Sequence, residues 1–422
     1  MNRESFSHCK NGTGMIYLIN QIIMKKDYPV KLMRNIIRFV LVLFCFFQFL
    51  CEGIVCEENE YVDVHIHLDP MALQKEGFSF TKRSNNPRKS NEEKIDYKDL
   101  GKNIISIMDK MGVERAMLMP PPQVPSQQGI KYTYATCLSV IKYYPDRLLL
   151  GGGGDNLNPL IYQYGREEIT QEIRAQFRKE AEKLVKAGIK VFGEMAALHL
   201  SMQEHHIFSQ VDPDHPLFLL LADIAAEHNI PIDLHMEAVP EDILMPEAIL
   251  KISSRNPKKL KANISGLENL LKHNRKAKIV WQHIGWDNIG FMTIERLTGL
   301  LKKHSNLYLA IRVEYRQMQM DKSGKMANRI VDDNWKIYPE WVKFMTDFSD
   351  RIVVGSDDFM GMIKQQARPK DSFKETWRIM EQLPEEIARK IGRSNAVRIY
   401  NLHDKIAGPF NYSSQFVELN TK

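Results

Sequence analysis

The sequence has 422 residues, of which 44% are hydrophobic and 26% are charged, a composition that predicts an ordinary globular protein with a substantial core. Its formal charge of +6 is concentrated at the start, because residues 1–53 carry seven Lys/Arg and three Asp/Glu. The rest of the chain has 51 basic and 49 acidic residues. This near balance argues against a broad nucleic-acid-binding face, so no nucleic-acid partner is expected.

The N-terminal segment has the pattern of an export signal. Two arginines precede residues 39–50, which are almost all apolar. A run of about twelve residues is too short for a bilayer core, which needs roughly 20 helical residues. We therefore predict a signal peptide within residues 1–53, with Met33 as the true start and cleavage near Gly53. The mature protein is expected to be periplasmic or secreted, without a stable membrane span.

Residues 54–422 are predicted to form one domain, in which short β-branched runs alternate with helical patterns eight times. Parallel strands need long crossovers, so the alternation predicts a parallel sheet, and eight units predict a closed (β/α)8 TIM barrel. The predicted strands are residues 61–66, 114–119, 147–151, 189–193, 230–234, 278–282, 306–312 and 351–355. The predicted helices include residues 100–111, 168–187, 216–228, 267–274, 294–304 and 339–348.

An open doubly wound sheet is the alternative, and it would normally have a glycine-rich turn that leads from a strand into a helix. Gly151–Gly154 follows a strand, but it leads into an Asp-Asn pair and a proline, which make a poor helix start. We interpret it as a mobile loop at the barrel mouth. Polar segments 70–96, 239–263 and 315–333 each follow a strand and are predicted to be loops inserted at the C-terminal face, where barrels build active sites.

Histidine and carboxylate side chains recur at the carboxyl ends of the predicted strands. His65 and His67 are two residues apart on the first strand, so both imidazoles lie on one face and can form a metal-ligand pair. His235 ends strand five, His283 ends strand six and Asp357 ends strand eight. A lone strand-end histidine is often a core or capping residue, but this joint pattern favours a metal centre.

This order of side chains resembles the amidohydrolase superfamily, and more closely its amidohydrolase-2 branch. The resemblance covers nearly all of residues 61–402. It includes the Asp-x-His-x-His motif that begins at Asp63, the Gly-Ser-Asp motif that ends at Asp357, and residues 391–400, which are similar to the last helix of that branch. The resemblance implies a metal-dependent enzyme on a (β/α)8 barrel with a small-molecule substrate.

The resemblance also implies one or two divalent metal ions, with zinc as the expected metal, although histidine and carboxylate ligands also suit Mn, Fe and Ni. The implied ligands are His65, His67, His235 and Asp357, with His283 binding either a second metal or the substrate. Asp357 is further implied to be the catalytic acid/base, which takes a proton from the attacking water and delivers it to the leaving group.

Glu194 ends the predicted fourth strand, where superfamily members place a bridging carboxylated lysine or a glutamate. The resemblance implies that Glu194 bridges two metals and offsets their mutual repulsion. The alternative is that it orients a histidine without binding metal.

Some polar residues are weaker candidates. His199 is predicted either to touch the substrate or to be a satisfied loop residue. Arg312 is predicted either to clamp a carboxylate or phosphate or to pair with Glu314. Structural or surface positions are predicted for the remaining polar candidates: Asp63 and Asp358 are expected to be structural, and His205, His206 and His215 to lie at the surface.

The leading functional prediction is hydrolysis of an amide, ester or lactone. The alternatives are a metal-dependent non-oxidative decarboxylase of the same branch and a TatD-like phosphodiesterase, which the near-neutral mature charge disfavours. Cys56 and Cys137 are the two cysteines beyond residue 53, so no disulfide framework is implied. The sequence does not identify the substrate. It also leaves the oligomeric state open, and a homo-oligomer is one of the possibilities.

Overall fold

The computed structural model describes residues 61–69, 95–125, 132–203, 206–313, 327–361 and 376–402. Contacts divide the chain into Met1–Glu58 and Asn59–Lys422, and every described residue belongs to the second unit. The predicted signal peptide and Cys56 lie outside the described residues, so both stay predictions. Within the described ranges, no helix has the length and apolar character that crossing a membrane requires.

Eight parallel strands form a closed barrel, which confirms the predicted fold class. Each strand pairs with the next along the chain, and the barrel closes where the eighth strand pairs with the first, at Asp63 and Val354. The strands are β1 Tyr61–Leu68, β2 Val113–Leu118, β3 Leu148–Gly153, β4 Val191–His199, β5 Ile232–Met236, β6 Ile279–Ile284, β7 Leu307–Ile311 and β8 Ile352–Val354.

Helices lie between the strands, as the alternation predicts. Those of the described chain are α1 Tyr97–Lys110, α2 Tyr134–Ile141, α3 Leu157–Gln163, α4 Gln171–Lys186, α5 Pro216–His228, α6 Glu247–Ile252, α7 Ile264–His273, α8 Ile294–Lys303, α9 Pro339–Asp347, α10 Glu385–Arg389 and α11 Asn395–Ile399, with a π-helical turn at Lys390–Ser394 before α11. Our predictions did not include α2, α3, α6 or α10, whereas α5 begins and ends where predicted.

The hydrophobic core explains why these elements assemble. The strands are buried along nearly their whole length, as expected of parallel strands covered by helices. One large cluster of buried side chains joins the strands to the surrounding helices. A smaller cluster packs Val62 of β1 and Val353 of β8 against Ile399 and Tyr400 at the end of α11. The C-terminal helix therefore covers the two strands that close the barrel.

The prediction of a mobile loop at Gly151–Gly154 was wrong. Gly151 to Gly153 are buried residues of β3, and the chain then enters α3, whose first amide is capped by the Asn156 side chain. A Cβ atom on Gly151 would lie 2.8 Å from the Cβ of Met119. The glycines are needed because neighbouring strands approach closely here, which is a packing requirement that resembles a loop signal in the sequence.

The predicted insertions are only partly described. Residues 239–263 hold α6 and a short antiparallel pair, Ile243–Leu244 with Lys259–Leu260, so this segment has secondary structure of its own. Most of segments 70–96 and 315–333 lies outside the described residues. The fourth strand runs to His199, well past its predicted end, because its last residues pair with Ser209–Gln210.

Candidate active site

Histidines and carboxylates from five strands meet at the C-terminal face of the barrel. They are His65 and His67 on β1, Glu194 on β4, His235 on β5, His283 on β6 and Asp357, which follows β8. Parallel strands bring their carboxyl ends to one edge, so residues far apart in sequence become neighbours. The structure thus brings together every residue predicted as a metal ligand.

The two histidines of β1 present lone pairs to one point. His65 Nε2 lies 3.0 Å from His67 Nε2. The Nδ1 atom of His67 is 2.8 Å from the carbonyl oxygen of Met119, which can only accept, so Nδ1 carries the proton. His65 Nδ1 is likewise 2.9 Å from the Asp233 carboxylate. When the rings are neutral, both Nε2 atoms are therefore acceptors, and neither can donate to the other.

Two carboxylate oxygens face the same point. Glu194 Oε2 and Asp357 Oδ1 each lie 3.3 Å from His67 Nε2 and 3.6 Å from His65 Nε2. Burial lowers the pKa of His67, but Asp357 and Glu194 outweigh burial and raise that pKa to about 8. The local field thus favours positive charge, and this donor set fits a divalent cation held by two imidazoles and two carboxylates.

The other oxygen of Glu194 faces a second pair of histidines. Glu194 Oε1 lies 2.6 Å from His235 Nδ1 and 3.2 Å from His283 Nε2, and these two nitrogens are 3.0 Å apart. Burial lowers the pKa of His283 to about 4, so its ring is neutral near pH 7. Glu194 therefore stands between two histidine pairs, with one oxygen directed to each, as a ligand shared by two cations would.

Asp357 faces the histidines through one carboxylate oxygen and accepts a hydrogen bond from an arginine through the other. Arg312 Nη1 donates to Asp357 Oδ2, and the guanidinium lies 4.2 Å from the centroid of the Trp286 ring. Burial raises the pKa of Asp357, but Arg312 and the histidines outweigh it and hold that pKa well below its usual range. Glu314, the alternative predicted partner of Arg312, lies outside the described residues.

Two of the site residues adopt a left-handed backbone. His283 has φ 64° and Asp357 has φ 53°, a region that non-glycine residues seldom occupy. Such residues cost roughly 1–3 kcal/mol each and concentrate at functional sites. His283 is the next-to-last residue of β6 and Asp357 lies three residues after β8, so the backbone turns near the end of each strand and directs the side chain into the site.

Asp233 is a site residue that sequence reasoning missed. It lies two residues before His235 on β5, and its Oδ2 accepts from His65 Nδ1. The signal was available, because Asp233-Leu234-His235 repeats the spacing of Asp63-Val64-His65. Gly193 leaves room for it, since a Cβ on Gly193 would lie 2.7 Å from the Cβ of Asp233. Burial raises the pKa of Asp233 to about 6, although His65 opposes that rise.

Asp63 has the structural position predicted for it. Its carboxylate accepts from the amides of His65 and Ser356, at 3.0 and 3.1 Å, and from Trp377 Nε1 at 3.2 Å. It therefore ties β1 to the segment that carries Asp357.

The weaker histidine candidates differ in where the structure places them. His199 lies beside the site, with its ring centroid 4.7 Å from that of His235 and 4.4 Å from that of His206. His206 is exposed, as predicted. The surface prediction for His215 was wrong: it is buried and caps α5 by accepting from the Leu217 amide, because Pro216 removes the first donor of that helix. His205 lies outside the described residues.

We expect Asp233→Asn to weaken metal binding roughly 10–100-fold, because the neutral amide no longer fixes the tautomer and charge of His65 as the carboxylate does. Competition with a chromogenic chelator measures the dissociation constant. Asp223→Asn is the control, since Asp223 is a partly exposed acceptor of the surface residue His273. An unchanged dissociation constant for Asp233→Asn would refute this role.

Residues 170–402 match the model of one protein family, Amidohydro_2, described as amidohydrolase. The matched region contains Glu194, His235, His283 and Asp357, and it begins after the two histidines of β1. No curated protein sequence matches the chain significantly.

Solved structures similar to this chain include three enzymes of low sequence identity. Dihydroorotase from Campylobacter jejuni is 17% identical, with 82% of this chain and 84% of that chain covered and a TM-score of 0.42. A 2,6-dihydroxybenzoate decarboxylase is 13% identical, with 81% and 99% covered and a TM-score of 0.42. Amidohydrolase 2 from Bifidobacterium longum subsp. infantis is 10% identical, with 81% and 99% covered and a TM-score of 0.40.

Proposed function

The chain belongs to the amidohydrolase family and is an enzyme of that family, and on this premise we propose that it hydrolyses an amide, ester or lactone at a two-metal centre. The observation that carries the proposal is the position of Glu194. Each of its two oxygens faces a different pair of histidines, at 2.6–3.6 Å. A single metal would need only one of these oxygens, whereas a pair of metals needs an anion shared between them.

The residues divide into two ligand sets. His65, His67 and Asp357 would hold one ion, His235 and His283 would hold the other, and Glu194 would contribute to both. When bound, the ions would polarise the scissile carbonyl and lower the pKa of the attacking water to about 7. Zinc is the metal we propose, because neutral imidazole is its usual nitrogen ligand and carboxylate its usual oxygen ligand.

Asp357 supplies the proton transfers of the reaction. Its Oδ1 faces the centre and accepts the proton of the attacking water, while its Oδ2 stays bonded to Arg312. Arg312 keeps the carboxylate ionised before the reaction and fixes its orientation, because its guanidinium is held against the Trp286 ring. The same Oδ1 then returns the proton to the leaving nitrogen or oxygen, so the two steps leave Asp357 unchanged.

The test is metal content and reaction products measured on the same preparation of the full chain. We expect about two ions per chain by elemental mass spectrometry, and acid release from a panel of esters, anilides and lactones. Activity should be lost with a chelator and regained with zinc. One ion per chain, with carbon dioxide released from hydroxybenzoic acids and no hydrolysis, would refute hydrolysis in favour of the decarboxylase alternative.

We also propose that the protein is exported, on the basis of the N-terminal pattern described above. N-terminal sequencing of protein recovered outside the cytoplasm should begin close to Ile54. Retention of residues 39–50 in the mature chain would contradict this proposal.

A further inference from the structure

A tyrosine hydroxyl lies between the strand that carries His67 and the strand that orients it. The amide of Leu68, the last residue of β1, donates to the Tyr132 hydroxyl, and this hydroxyl donates to the Met119 carbonyl oxygen at 3.0 Å. The same oxygen accepts from His67 Nδ1 at 2.8 Å. One hydroxyl therefore contacts both the residue that follows His67 and the acceptor of its imidazole.

The hydroxyl takes the place of a hydrogen bond in the ladder between β1 and β2. The carbonyl oxygen of Ile66 accepts from the Met119 amide at 3.1 Å, which is a regular bond of this parallel pair. In an uninterrupted parallel ladder the next bond would run from the Leu68 amide to the Met119 carbonyl. Here the Tyr132 hydroxyl lies within that bond, because it accepts from the amide and donates to the carbonyl. The end of β1 is thus tied to Met119 through a side chain.

The chain that follows Met119 contributes no backbone donor for three residues. Residues 120–122 are consecutive prolines, which have no N–H and cannot donate to a neighbouring strand. A residue before proline is also confined to extended conformations. The orientation of the Met119 carbonyl therefore depends on donors from elsewhere in the fold, and the Tyr132 hydroxyl is one of them.

Buried hydrogen bonds fix the tyrosine itself. Gln123 Nε2 donates to the Tyr132 carbonyl oxygen at 2.6 Å, and the Gln123 carbonyl accepts from Asn158 Nδ2 at 2.9 Å. Asn158 Oδ1 accepts from the Ala196 amide of β4 at 2.9 Å. All three side chains of this network are buried, so it holds the hydroxyl in one position. Burial also raises the pKa of Tyr132 well above its usual value, so the hydroxyl remains a donor near pH 7.

We propose that Tyr132 is a positioning residue of the metal centre, whose hydroxyl holds the Met119 carbonyl against His67 Nδ1 so that the Nε2 lone pair faces the ion. This role rests on the proposed metal at the His65–His67 pair. It does not rest on the reaction, because hydrolysis and the decarboxylase alternative both place an ion there. Loss of a partner that orients a metal ligand commonly weakens metal binding about 10–100-fold, and Tyr132 acts one bond further out.

The test is titration of the chelator-stripped full chain with Co²⁺, followed by visible absorption, whose d–d bands change with the geometry of the ligands. Tyr132→Phe should raise one cobalt Kd about fivefold to tenfold and shift the bands of that ion. His67→Gln identifies the binding step that belongs to the His65–His67 pair. An ion at the His235–His283 pair should keep its Kd within about twofold, because no bond of Tyr132 reaches those histidines.

Tyr144→Phe is the matched control. The Tyr144 hydroxyl also donates to a backbone carbonyl, that of Lys98 at 3.0 Å, but it does so among the outer helices. This variant should lower the melting temperature and leave the cobalt Kd and spectrum unchanged. If Tyr132→Phe likewise lowers the melting temperature but binds cobalt with the wild-type Kd and spectrum, Tyr132 is only structural and the proposal is overturned.

A second variant decides the matter if Tyr132→Phe does not fold. Gln123→Met removes the donor to the Tyr132 carbonyl but keeps the hydroxyl, and it should raise the same cobalt Kd about threefold. A wild-type Kd in that variant would then refute the proposal. Weaker cobalt binding by Tyr132→Phe, in a protein whose wild type hydrolyses nothing, would support the positioning role and refute hydrolysis. Hydrolysis by the wild type with an unchanged cobalt Kd in Tyr132→Phe would do the reverse.

Discussion

Asp357→Asn is expected to lower kcat by about 100-fold to 10⁴-fold while the barrel stays folded, because an amide cannot accept the proton of the attacking water. Asparagine has the same shape as aspartate and can still accept from Arg312 Nη1 through its one oxygen. The loss should therefore fall on turnover more than on folding. Steady-state kinetics and the melting temperature measure the two effects separately.

A matched control lies next to it in the chain. Asp358 is buried, and its carboxylate accepts from the amide of Phe359, a contact that asparagine can keep. Asp358→Asn should retain activity within a few-fold. Metal content must be measured for both variants, because Asp357 is also a proposed ligand. Full activity in Asp357→Asn would exclude Asp357 as the acid/base.

Glu194→Gln is expected to reduce the metal content from about two ions per chain to one or none, and to abolish hydrolysis. Glutamine has one acceptor oxygen, so it can face either the His65–His67 pair or the His235–His283 pair, but not both. It also lacks the negative charge that offsets repulsion between two cations. Elemental mass spectrometry gives the stoichiometry directly.

The control for this variant uses another carboxylate that could hold an ion. Glu182, Glu227 and His228 lie close together on the outside of the barrel, within reach of a common cation. Glu227→Gln removes one of them and should leave two ions per chain. If Glu227→Gln lost an ion while Glu194→Gln kept two, the second ion would belong to that surface cluster and the shared role of Glu194 would be wrong.

The cluster of histidines and carboxylates was predictable from sequence because its residues lie at strand ends with a regular spacing. His65 and His67 share a face by the two-residue period, and strand order places His235, His283 and Asp357 at one edge of the barrel. The barrel itself followed from eight repeats of strand and helix. These features are patterns within short stretches of chain, so they can be recognised in a single sequence.

The features that were missed depend on distant contacts. Asp233 acts through a histidine 168 residues away, and Arg312 turns to Asp357 across 45 residues. Gly152 and Gly153 extend β3 past its predicted end, and a Cβ on Gly153 would lie 2.9 Å from Met195 Sδ, a contact that no local pattern reveals. His215 is buried because α5 begins there and packs against the core. Each depends on packing that exists only in the folded chain.

The pairing of β1 with β8 also decides when the enzyme can become active. His67 and Asp357 face one another, but they are separated by 290 residues of chain, and Asp63 accepts from Ser356 across the same seam. During synthesis the histidines of β1 emerge long before the carboxylate that completes their site. A chain that lacks β8 would have an open barrel and an incomplete set of the proposed ligands, so the proposed metal centre would form only when the fold is complete.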